Sequence, residues 1–143
     1  MTYNVWIGGS CDYGHKERAG GAAVIIEQHG EDVIAELHTT EFRMMLTLML
    51  KVMDELPEQS DIVFLTNAAY IQNYDKTPTE KSANSDLIYQ CIEAKQRHTS
   101  ITIQIVSYHK SPLLIKTHEM AHEAMERVRN KYNEGKKEKL HSL

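Results

Sequence analysis

The stretch YNVWIGGSC, residues 3–11, decides how the chain is read. Tyr3, Val5 and Ile7 alternate with Asn4 and Trp6, the period of a strand with one apolar face, and the glycines and serine that follow permit a turn. Working outward, Gly20 to Gln28 forms a second apolar run carrying AAVII. The polar residues His29, Gly30, Glu31 and Asp32 interrupt it, and VIAEL resumes the pattern. This is a hairpin signature, with Gly30 able to supply the positive φ that its turn requires. Three antiparallel strands therefore open the chain.

From Phe42 to Leu56 the spacing changes. Met45, Leu48, Met49, Val52 and Leu56 recur with the period of a helix, and Pro57 ends it. The methionines read as core filler under a sheet rather than as a sulfur ligand set. DIVFLT, residues 61–66, reads as a buried strand, and residues 68–74 as a brief helix. Pro78 keeps residues 75–84 irregular. Ser85 starts a helix through Lys95, Ile101 to Val106 alternates as a last strand, and Ile115 to Tyr132 closes the chain as a helix. The order βββαβαβα predicts an α/β (mixed α+β) domain over residues 1–143, with a five-stranded mixed sheet flanked by helices. Residues 134–143, rich in lysine and glutamate, read as a flexible tail.

A chain of 143 residues buries a core without disulfides or a structural metal. Its formal net charge is -4, yet Arg127, Arg129, Lys131, Lys136, Lys137 and Lys139 face only Glu134 and Glu138 within residues 127–139. The remainder is acidic, which opposes unassisted wrapping of nucleic acid, while the basic segment offers a local patch. Cys11 and Cys91 have neither metal-pair spacing nor the number of a secreted scaffold. No apolar run suits a membrane span and no leader is visible, so a cytoplasmic protein without membrane partners is expected.

Four blocks stand in a fixed order: WIGGSC at residues 6–11, TTEFRMML at 39–46, FLTNAAY at 64–70 and THEMAHEAM at 117–125. With the Gly20-Gly21 strand start and VSYHKS after the last strand, they resemble the ribonuclease H family over nearly the whole length. The resemblance implies a ribonuclease H-like fold and, in the family, hydrolysis of the RNA strand of a hybrid by two magnesium ions held by acidic side chains. Such ions need oxygen ligands with enough negative charge to hold them close together. By the same resemblance, the carboxylate positions fall at Gly8, Met45, Asn67 and His122, none of them acidic. Glu41, Asp12 and Glu119 are the acids near enough to assist, and His109 falls in the family's loop after the last strand.

HEMAH, residues 118–122, also matches the HExxH pattern, in which two histidines one helical turn apart share a zinc ion and the glutamate polarises water. A transition-metal site at His118, His122 and His109 is the corresponding expectation. The leading expectation is a divergent, non-catalytic domain that binds nucleic acid or protein, or pairs with itself, and needs no cofactor. Ser10, Arg127, Arg129 and Lys131 would be its nucleic-acid contacts. The alternative is a hydrolase or nuclease whose rearranged site takes Mn or Zn in place of Mg, with His122, Glu119, Asn67 and Glu41 as donors. A zinc peptidase through His118, Glu119 and His122 is the remaining alternative.

Overall fold

The computed structural model describes residues 1–79 and 81–141, and side chains through residue 137. Its elements are strands β1 (Thr2–Cys11), β2 (Gly20–Ile26) and β3 (Gly30–Glu36), helix α1 (Glu41–Glu55), β4 (Asp61–Thr66), α2 (Ser85–Lys95), β5 (Ser100–Ile105) and α3 (Pro112–His141). The brief helix expected after β4 is a 3-10 helix, Ala69–Asp75. The sheet order is β3-β2-β1-β4-β5. The pairs β1–β2 and β2–β3 are antiparallel, while β1–β4 and β4–β5 are parallel. The mixed sheet is therefore the one the sequence predicts.

Alternation along β1 sends neighbouring residues to opposite faces. Val5 and Ile7 join Val24, Phe64 and the methionine stripe of α1 in a core that α2 closes through Leu87, Ile88 and Cys91. The other face of β1, β2 and β3 lies under α3. There Gly8 sits beneath Thr117 and Gly21 beneath the Ala121 carbonyl: a Cβ on either glycine would come within 2.5 Å of Thr117 Oγ1 or 2.6 Å of that carbonyl oxygen.

Three sequence expectations change. The GGS segment, read as a turn, continues β1 to Cys11, because Gly8 and Gly9 serve close packing rather than chain reversal. The β2–β3 hairpin turns earlier, with Gln28 at φ 66° and Gly30 at φ 133°, so β3 already starts at Gly30. Helix α3 begins at Pro112, where a proline lacks nothing a first-turn residue needs, and runs beyond Tyr132 to His141. Lysine and glutamate are good helix formers, and Gly135 alone does not stop it. Of the segment read as a flexible tail, residues 142–143 lie outside the described residues, as does the side chain of Lys139. No helix among the described residues is long and apolar enough to cross a membrane.

Candidate functional site

Parallel pairing of β1 with β4 ends at Trp6 and Leu65, so the last residues of β1 and the loop after Thr66 open a shared edge. α3 crosses this edge in a register set by Gly8 and Gly21. The side chain it delivers there is His118. Its Nδ1 lies 3.1 Å from the Gly9 carbonyl oxygen, and its Nε2 lies 3.0 Å from the Asn67 side-chain amide. Both facing atoms, the Gly9 carbonyl oxygen and Asn67 Oδ1, are acceptors, so a neutral ring donates to one of them and an imidazolium to both. Tyr108 packs edge-on against the same ring, with centroids 5.1 Å apart. His118, one turn before His122, is thus the α3 histidine that meets Asn67.

His122 meets other partners. Its Nδ1 is 3.3 Å from Ser10 Oγ, and its Nε2 is 2.8 Å from Glu126 Oε1. The two imidazoles of HEMAH share a helical face as their spacing requires, but one Nε2 addresses Asn67 and the other Glu126. They do not converge on one ion. His109 is exposed and stacks edge-on against Tyr108 at 5.3 Å, and Tyr108 rather than His109 lines the groove beside the two histidines. The expected triad of His118, His122 and His109 is therefore not assembled. Among the described residues no three His, Cys, Asp or Glu side chains gather at metal-binding distance.

Across the strand lies a second cluster. The Cβ direction of Gly9 points at Glu41 Cγ and at Met45, opposite to that of Gly8. Met45 is fully buried. Glu41 accepts a hydrogen bond from the Tyr70 hydroxyl, which also lies 3.3 Å from Met45 Sδ, and its amide donates to the Tyr13 hydroxyl at 3.2 Å. Burial, reinforced by the Glu41 carboxylate, raises the Tyr70 phenol well above its ordinary value, so it stays protonated and donates. Glu41 therefore faces α1 and Tyr70, with β1 between it and His118. Glu119 is exposed on the rim of the groove. Asp12, further along, is taken by His15 at 2.7 Å and Arg129 at 3.0 Å.

A pair of magnesium ions needs several anionic oxygens around one point. At the β1 and β4 ends the donors are a neutral amide, an imidazole and backbone, while Glu41 lies across the strand and Glu119 on the exposed rim of the groove. These residues do not fit two magnesium ions. The rearranged set of His122, Glu119, Asn67 and Glu41 is also not brought together, since only His118 meets Asn67.

The expected nucleic-acid contacts fare unevenly. Arg129 is consumed by Asp12, and Ser10 faces His122, while Arg127 and Lys131 stay exposed on α3. Sequence reasoning missed a cleft of about 490 Å³ between the N-terminal end of α1 and the start of α2, lined by Arg18, His38, Thr40, Arg43, Asn84, Ser85 and Asp86. Thr40 caps α1 by accepting from the Arg43 amide at 3.1 Å, and α2 starts on the facing wall at Ser85. The signal available was two helix starts, each beside an arginine or a hydroxyl.

The strand order, the crossovers and the placement of α3 can be compared with known structures. LC9-RNase H1, a type 1 RNase H with the type 2 active-site motif, matches with a TM-score of 0.70 at 17% identity, over 89% of this chain and 73% of that chain. The chain has a ribonuclease H-like fold. At that identity the likeness establishes the fold alone. No family model matches the sequence, and no curated protein does.

Proposed function

We propose that this ribonuclease H-like domain is a binding module for a nucleic-acid backbone and lacks two-metal nuclease activity. The observation carrying this reading is the closure of the β1 edge. His118 is tied to Gly9 and Asn67, Thr117 fills the space above Gly8, and Met45 is sealed in the core. The cleft between α1 and α2 supports the choice of ligand. Asp86 holds Arg43 through paired contacts of 3.2 and 3.0 Å, and the α1 start is capped by Thr40, which leaves exposed Arg18, the Ser85 hydroxyl and the N-terminus of α2 as the anion-directed groups. Amides at helix starts and a cation recognise phosphate without reading bases.

The test is binding of labelled RNA–DNA hybrid, duplex DNA and single strands across a salt series, with product gels in Mg²⁺, Mn²⁺ and Zn²⁺. Salt-sensitive binding without cleavage is expected. Absence of salt-sensitive binding to every probe would remove the nucleic-acid ligand and leave a protein partner or a second copy. Cleavage with Mn²⁺ or Zn²⁺ that Asn67→Ala abolishes would restore the rearranged-hydrolase reading.

A further inference from the structure

The groove beside α3 holds a constellation that the metal-site comparison does not use. Ser10, near the end of β1, places its Oγ 3.3 Å from His122 Nδ1, and His122 Nε2 is 2.8 Å from Glu126 Oε1. Glu126 follows His122 by one helical turn, so the backbone of α3 fixes the base and its carboxylate partner together. The cavity here is about 310 Å³ and is lined by Gly9, Ser10, Tyr108, His118, Glu119 and His122. We propose that Ser10, His122 and Glu126 form a metal-independent nucleophile, base and orienting acid for small uncharged esters. This site is independent of the binding reading above.

The hydrogen bonds assign the tautomer. A carboxylate can only accept, so the His122 proton sits on Nε2 and leaves the Nδ1 lone pair facing the serine hydroxyl. The other acceptor near Ser10 Oγ is Met125 Sδ at 3.8 Å, a weaker one. Ser10 Oγ attacks the acyl carbon while its proton passes to His122 Nδ1. The C–O bond to the leaving alkoxide breaks, and His122 returns the proton to it. Water then attacks the Ser10 ester with the same base, releasing the carboxylic acid and regenerating the hydroxyl. Glu119 on the groove wall and Glu126 behind the base disfavour anionic substrates, which selects neutral esters over phosphates. A positioned base contributes about 10²–10⁴-fold.

The probe is a neutral alkyl fluorophosphonate on the full chain, with the modified peptide located by mass spectrometry, beside hydrolysis of p-nitrophenyl acetate. Labelling of Ser10 is expected, absent in Ser10→Ala and slowed at least about 100-fold in His122→Ala. Glu126→Gln should give a smaller loss, and His109→Ala, outside the groove, none. Thermal melts of each variant separate loss of fold from loss of reactivity. Folded wild-type protein that labels Ser10 no faster than its urea-unfolded form overturns the proposal, as does unchanged labelling of a folded His122→Ala variant.

Discussion

Thr117 Oγ1 occupies the space that a side chain on Gly8 would need, 2.5 Å from where its Cβ would stand. Thr117 is fully buried, and its hydroxyl donates to the Leu114 carbonyl at 2.7 Å, so it does not yield by turning to solvent. Alanine in an open strand position is better than glycine by about 0.5–1 kcal/mol. Here the sign reverses. Gly8→Ala should destabilise by about 1–3 kcal/mol in urea melts. Gly8→Ala with Thr117→Ala should cost less than the two singles added, by at least about 0.5 kcal/mol.

Met45→Glu restores the acid that the family resemblance implies in α1, but within a fully buried core. An uncompensated buried carboxylate costs about 3 kcal/mol or more. Burial raises its folded pKa above the unfolded value of about 4.3. The penalty should be small below that pH and grow as pH rises through the folded value. Urea midpoints of variant and parent at pH 4 and pH 7 check this, and a constant difference would refute it.

Asp12 titrates in the opposite sense. The hydrogen bond from His15, then that from Arg129, holds its carboxyl below the ordinary value of 3.8. A depressed folded pKa contributes stability that is present above 3.8 and lost as pH falls through the folded value. Asp12→Asn should therefore flatten the decline in melting temperature below about pH 4. The same contact ties β1 to α3, so the variant should also expose Arg129.

Arg18 lines the proposed phosphate cleft, makes no ion pair among the described residues, and has φ 38°, a conformation that asparagine tolerates. Arg18→Asn should leave the fold intact. In salt titrations with duplex DNA it should reduce the slope of log K against log salt by about 0.9. Arg127→Ala and Lys131→Ala, on α3 and not among the residues lining the cleft, test the patch expected from the sequence and should change the slope less.

The sheet and its helices were legible because burial imposes periods: two in YNVWI, near four in the methionine stripe, with Pro57 and Pro78 as stops. The GGS segment misled because glycine permits both a reversal and a close approach, and only the position of α3 decides between them. The choice between His118 and His122 was likewise hidden. Both share one helical face, and which of them meets Asn67 depends on where Gly8 and Gly21 seat the helix. Arg129 looked free because its partner Asp12 lies 117 positions away in sequence. That Gly8, Met45, Asn67 and His122 are not acidic was legible at once, but the packing around them was not.

The two glycines under α3 bear on which sequences the fold can reach. A chain carrying this helix seat cannot acquire an acidic centre one residue at a time. An aspartate at residue 8 collides with Thr117, a side chain at residue 9 collides with Glu41, and an acid at 45 is buried. Each such step is penalised by folding before any ion can reward it. The domain is held away from an acidic centre by the fit of its core, and selection is then free to act on other surfaces.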